Sequence, residues 1–178
     1  MASNEELMQA VADGDMDAFG EIVRRHQTSA WNAAWRLLGD AAEAEDAAQD
    51  AFMKILQAAP RYRPTATFRT YLYRVVTRLC LDRLEKKRPQ YAGGLPTAEA
   101  GSLAPPELLV EREAKAAVHR ALDALPARQR TAIVLKHFEG LSYQQIAGAM
   151  DTSPKAVERL LARAREELHR RLSELREE

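Results

Sequence analysis

The chain has 178 residues, 26 Lys and Arg against 26 Asp and Glu, and a single cysteine. One cysteine excludes a disulfide framework and by itself holds no metal cluster, and no run of 18 apolar residues offers a membrane-spanning helix. The net charge of zero hides a segregation: residues 1–60 carry 4 basic against 11 acidic side chains, and residues 61–91 carry 9 against 2.

An acidic block followed by a basic one points to two partners of opposite charge, set against the plainer reading of solvated helical faces. The opening "MASNEELMQA" lacks the charged-then-apolar layout of a signal peptide, so a soluble cytoplasmic protein is expected. The length allows one domain or two small ones.

In chain order, almost everything reads helical; Ala, Leu, Glu, Arg and Gln dominate and no alternating β-branched run occurs. Residues 4–12 make a short helix. Asp15 or Asp17 caps a second, with Ile22, Ala30, Ala33, Ala34 and Leu37 at helical spacing and Gly39 ending it. Asp40 starts a third, striped by Ala44, Ala47, Ala48, Ala51, Phe52 and Ile55 and closed by Pro60. "RYRPTAT" is a loop, because Pro64 biases its neighbour away from helix. A fourth helix runs from Phe68 to the "KKR" before Pro89.

Residues 89–106 hold four Pro and three Gly with little periodicity, the composition of a flexible linker and a domain boundary. The expected layout is a first domain over 1–88, a linker over 89–112 and a second domain over 113–178. Helical pattern resumes near Glu107, breaks at "LPARQR", and runs on through Ile133, Val134 and Leu135 to Gly140.

The last two helices are predicted over 142–150 and 154–176. Ser142 with Gln145 fits a capping box, and Leu141 with Ile146 a hydrophobic staple. Ser153 suits an N-cap with Pro154 at the first helical position. The short connection makes this a helix-turn-helix, whose second helix enters the major groove by its N-terminal part. Lys155, Glu158, Arg159 and Arg163 then lie on or beside the groove face, where Arg donates to guanine and Glu accepts from cytosine. Lys155 and Arg163 serve equally as phosphate contacts.

Upstream, the basic segment 61–88 interleaves nine Lys and Arg with four aromatics. Tyr71, Arg74 and Arg78 share a helix face, a chemistry suited to single-stranded nucleic acid, where bases stack on rings while charge follows the backbone. Taken singly, Phe68 and one of Tyr71 or Tyr73 are expected in the core, as aromatics at helical spacing usually are, and Cys80 reads as a small buried hydrophobe. On the third helix, Glu43, Asp46, Gln49, Asp50 and Met53 form an acidic face that either docks a basic helical partner or is simply solvated.

These blocks, in this order, resemble the bacterial RNA polymerase sigma factors of the extracytoplasmic-function (ECF) group, over nearly the whole chain. "AEAEDAAQDAFMKIL" is similar to that family's polymerase-binding helix and "FRTYLYRVVTRLCLDRLEKKR" to its −10 reader. "ALDALPARQRTAIVLKHFEGLSYQQIAGAMDTSPKAVERLLARAREEL" is similar to its −35-reading domain. The resemblance implies an all-α fold of two helical domains joined by a flexible Pro/Gly-rich linker, the second containing the helix-turn-helix.

It also implies that Asp46, Gln49, Asp50 and Met53 contact the coiled coil of the polymerase's largest subunit, with the flap as a second contact. By the same token Arg61, Arg63, Phe68, Arg69, Tyr71, Arg74 and Arg78 engage −10 DNA and capture a flipped base. Ser142, Tyr143, Gln144, Ser153, Lys155, Glu158, Arg159 and Arg163 engage −35 DNA. An anti-sigma factor is an implied partner; no cofactor, metal, small-molecule substrate or catalytic residue is expected. Tyr71, Arg78 and the run "AVERLLARAR" depart from the family's usual residues, which leaves the promoter sequence open.

Three rival readings stand beside this one, of which a helical adaptor with no nucleic-acid role is disfavoured by the paired basic segments. A two-domain helix-turn-helix regulator without polymerase leaves the basic-aromatic helix unexplained. An enzyme needs a nucleophile–base or ligand spacing that His26, Cys80, His119, His137 and His169 do not have.

Overall fold

The computed structural model describes residues 1–87 and 106–177. The linker expected over 89–112 therefore lies outside the described residues up to 105, and a helix already begins at Pro106.

The first unit is built from α1 (Asn4–Ala12), α2 (Met16–Leu38), α3 (Ala41–Ala58) and α4 (Phe68–Lys87). Each boundary has a local cause. Ser3 and Glu6 close a capping box on α1. Asp15, rather than Asp17, caps α2, accepting from the N–H groups of Asp17 and Ala18. Gly39 ends that helix at φ +73°, a left-handed conformation that spares only a residue without Cβ. Asp40 caps α3 through the Glu43 N–H at 2.9 Å.

The alanine stripe of α3 explains how α2 and α3 lie close together. Ala44, Ala47 and Ala51 are fully buried against Ala30, Ala33 and Ala34 of the same core, small side chains that let two backbones approach. Phe68, Leu72, Tyr73, Val76 and Cys80 carry α4 into that core. As expected, Cys80 packs as a hydrophobe, and burial pushes its thiol up to about 12.

The second unit comprises α5 (Pro106–Asp123), α6 (Ala127–Ile133), α7 (Tyr143–Ala149) and α8 (Pro154–Glu177). A feature not foreseen is that α6 continues as a π-helical turn over Val134–Phe138. The Glu139 N–H reaches back five residues to the Val134 carbonyl at 3.1 Å, and the wider turn aims the Glu139 side chain at the first unit. Along α8, Val157, Leu161 and Ala164 are buried, whereas Leu172, at the same helical spacing further on, is 42% exposed. Among the described residues there is no β-strand.

The two units pack on each other, α4 lying against α7 and the end of α2 against α6 and the π turn. Arg130 is central to that contact. It is 7% exposed, donates to the Leu37 carbonyl of α2 and to the Asp123 carbonyl of α5, each at 2.7 Å, and pairs with the Asp123 carboxylate at 3.1 Å.

Candidate nucleic-acid and partner interfaces

The acidic face of α3 is exposed at Asp46, Gln49, Asp50 and Met53, and Met53 is 51% accessible. Beside it, α2 and α3 enclose an open groove of about 420 Å³ with Trp31, Val23, Ala48 and Phe52 in its floor and Glu45 and Gln49 on its rim. An apolar floor with an acidic rim suits a helix that presents aliphatic and basic side chains. Asp50 is held by Arg83 of α4 at 2.6 Å, and Gln49 donates to Glu45 at 3.3 Å, so part of this face is pre-ordered from within.

The basic surface is built by the loop after the short turn Ala59–Arg61 and by α4. Arg61, Arg63, Arg69, Arg74 and Arg78 are exposed and Tyr71 is half-buried. Tyr62 and Tyr71 lie 5.2 Å apart, and Tyr71 meets Phe68 edge-on at 6.2 Å, forming an aromatic wall under the loop. Burial raises the phenols of Tyr62 and Tyr71, which keeps both rings neutral.

Phe68 takes the core position expected from its helical spacing. Its ring is fully buried, 5.0 Å from His26, and its N–H donates to Glu5 of α1 at 2.9 Å. It supports the loop from beneath, where the apolar ring gains from burial in the core. Tyr73 takes the core position foreseen for one of the two tyrosines.

In the second unit the helix-turn-helix forms as its caps predict. Ser142 and Gln145 close the capping box at 3.1 and 2.9 Å, and Ser153 caps α8 through the Ala156 N–H at 3.1 Å. Leu141 and Ile146, the staple pair, are buried. The turn passes through Asp151 at φ +49°, a conformation that Asp tolerates better than most residues. Ser142, Gln144, Ser153, Lys155, Glu158, Arg159 and Arg163 are exposed, and Tyr143 is half-buried beneath the Lys136 ammonium. Lys155, Glu158, Arg159 and Arg163 line the first three turns of α8 on one open face.

Several residues that organise these surfaces carry no sequence signal. Glu5 reaches across 63 positions to the start of α4. Glu139, a lone acid between Phe138 and Gly140, is 7% exposed. It accepts from the Tyr73 hydroxyl and, at 3.2 Å, from Arg36, while its carbonyl accepts from Arg69. Burial and the Glu139 carboxylate together push the Tyr73 phenol up to about 12.

Two helical units, one with opposed acidic and basic-aromatic faces and one with a helix-turn-helix, define a DNA-binding protein that also docks a protein partner. Comparison with known proteins narrows this. Residues 22–90 match the family described as Sigma-70 region 2, and residues 115–168 match Sigma-70, region 4. The chain is 32% identical to the ECF RNA polymerase sigma factor SigW of Bacillus subtilis, over 96% of this chain and 97% of that one. It is 31% identical to the RNA polymerase sigma-H factor of Pseudomonas aeruginosa, over 97% and 95%.

Among solved structures, CnrH in complex with the cytosolic domain of CnrY superposes with a TM-score of 0.73 at 26% identity, over 94% of this chain and 95% of that one. RpoE of Bartonella quintana, in complex with the anti-sigma factor NepR, shares the fold with a TM-score of 0.65 at 22% identity, over 87% and 96%.

The chain belongs to the ECF family of RNA polymerase sigma factors. It is a promoter-specific transcription initiation factor and not an enzyme. A regulator independent of polymerase is not favoured, since the first unit matches region 2 rather than a ligand-sensing or dimerisation domain.

Proposed function

We propose that residues 1–88 form the unit that binds core polymerase and captures −10 DNA, that 113–178 form the −35 reader, and that 89–112 connect them. The observation that carries this reading is the chemical division of the first unit: an acidic, apolar-floored groove on α2 and α3, and a basic-aromatic surface on α4 and its preceding loop. One surface fits a basic helical protein and the other fits an unpaired strand.

Asp46, Gln49, Asp50 and Met53 hold the coiled coil of the largest polymerase subunit. Arg61, Arg63, Arg69, Tyr71, Arg74 and Arg78 hold the melted −10 strand. Stacking on a ring is worth about 1–3 kcal/mol per base, which offsets the cost of extruding a nucleotide without nucleotide hydrolysis. Ser142, Tyr143, Gln144, Ser153, Lys155, Glu158, Arg159 and Arg163 contact the −35 duplex, and the second unit meets the polymerase flap. The chain acts in the cytoplasm, where polymerase and promoter are, and an anti-sigma factor restrains it. No described helix is long and apolar enough to cross a membrane.

The test is reconstituted transcription. Purified chain added to core polymerase on a library of genomic promoters is expected to yield discrete transcripts that core alone does not make. Failure to associate with core, or transcripts identical to those of core alone, overturns the reading.

A further inference from the structure

Two cations converge on His137 at one edge of the second unit. Arg165 of α8 reaches the imidazole Nε2 at 3.5 Å, and both side chains are exposed. Arg has no acceptor, so Nε2 is the unprotonated nitrogen that receives its N–H. Lys136, on the same π-helical turn, holds its ammonium 5.2 Å from the centre of the Tyr143 ring. Among the described residues, neither Lys136 nor Arg165 has an ion-pair partner.

Nothing packed around the turn balances that charge. α6 and α7 contain no Asp or Glu. Arg36 of α2 is committed to Glu139 and to the Phe138 ring, and Glu167 of α8 to Arg170 and Arg171. The charges that act on His137 are those of Arg165 and Lys136, and after burial they hold its imidazole below the ordinary 6.5. An anion between them reverses the balance, because phosphate oxygens accept from an imidazolium and a guanidinium together.

The site also stands where a duplex supplies that anion. Arg165 follows Glu158 by seven residues, about two turns and 10 Å along one strip of α8. The major groove is about 12 Å wide, so a helix that reads a base edge at Glu158 meets the phosphate wall near Arg165. Tyr143, against Lys136, belongs to the same −35 surface.

We propose that His137 and Arg165 form a proton-linked phosphate clamp beside the −35 reader: a backbone phosphate of the duplex sits between them, and His137 takes up a proton as it binds. This rests on the assignment of the helix-turn-helix as the −35 reader and adds two residues to it. The proton comes from solvent and lands on Nε2, which then donates to the phosphate while Arg165 turns its N–H groups to the same anion. The clamp recognises charge and not sequence. It makes −35 affinity rise as pH falls, in a range where Lys and Arg do not titrate.

Fluorescence anisotropy of the full-length chain on a −35 duplex at fixed salt, with and without core polymerase, tests this. Between about pH 8 and pH 6 the unmodified chain is expected to gain at least about threefold in affinity relative to His137→Gln, since a pKa raised by one unit on binding is worth up to about tenfold. Arg165→Gln should weaken all duplex sequences alike and lower the salt slope by about one. In NMR spectra, the His137 ring proton, identified by its loss in His137→Gln, should titrate at higher pH with duplex than without. Both side chains are exposed, so neither substitution disturbs the core.

Equal pH dependence in the unmodified and His137→Gln chains overturns the proton link. A loss confined to one base position in Arg165→Gln overturns the phosphate contact. If the unmodified chain neither binds a −35 duplex nor directs transcription, the functional reading falls. The His137 titration with arbitrary duplex at low salt then decides the clamp by itself, and an unmoved titration overturns it.

Discussion

Glu5 offers the sharpest test of how the −10 surface is held. Its carboxylate accepts the Phe68 N–H at 2.9 Å, while Thr67 caps the same helix locally by accepting the Thr70 N–H at 3.3 Å. The first N–H groups of a helix have no intrahelical partner, and Phe68 is fully buried, so water does not replace Glu5 there. Glu5→Ala loses a helix cap, typically about 1 kcal/mol, and the favourable charge at a helix N-terminus, about 0.3–1 kcal/mol. A loss of about 1.5–2 kcal/mol is expected.

Glu5→Gln keeps an acceptor and loses only the charge, so about 0.5 kcal/mol is expected. Urea denaturation of the full chain measures both, and hydrogen exchange at the amides of Phe68–Tyr71 reports whether the first turn of α4 frays. If Glu5→Ala shifts stability by less than about 0.5 kcal/mol, or Glu5→Gln costs as much as Glu5→Ala, the capping argument fails.

Three other outcomes follow from the surfaces and the shifted imidazoles. Arg159→Ala should weaken −35 duplex binding by about 1–3 kcal/mol at one base position and leave others unchanged; a uniform loss in a base-by-base competition assay would mark a phosphate contact instead. Charge reversal at Asp46 and Asp50 should reduce association with core polymerase by at least about tenfold while −35 duplex binding persists, which pull-down and mobility shift separate. Burial, then nearby cations, lowers the imidazoles of His26 and His137 below the ordinary 6.5. Burial lowers His119 likewise, with Asp123 opposing it. A depressed histidine contributes stability above its unfolded value and loses it as pH falls through the folded value, because the unfolded chain binds the extra proton. The urea midpoint should therefore fall from pH 7.5 to 5.5, and substituting His26 by Asn should flatten that slope.

Most of the local design is legible in the chain itself. The caps at Ser3, Asp40, Ser142 and Ser153, the stop at Gly39 and the alanine stripe of α3 are decided within four or five residues, since they depend on backbone groups nearby. The helix-turn-helix is legible for the same reason, and so is the exposure of its Lys155–Arg163 face. Phe68 carried two readings, because a hydrophobic ring beside arginines fits a base-stacking platform as well as a core, and the structure buries it. Its partners, Glu5 and His26, lie far away in sequence.

What sequence alone determined is thus the set of helices, their polarity and the family. Tertiary structure decided how the two units meet. Glu139 and Arg130 are each one charged residue with nothing nearby in the sequence to mark it for burial. Only when α4, α7 and the end of α2 come together do Tyr73, Arg36, Arg69 and the Leu37 carbonyl surround them. A buried charge is defined by partners distant in the chain, and periodicity over a few turns carries no record of those.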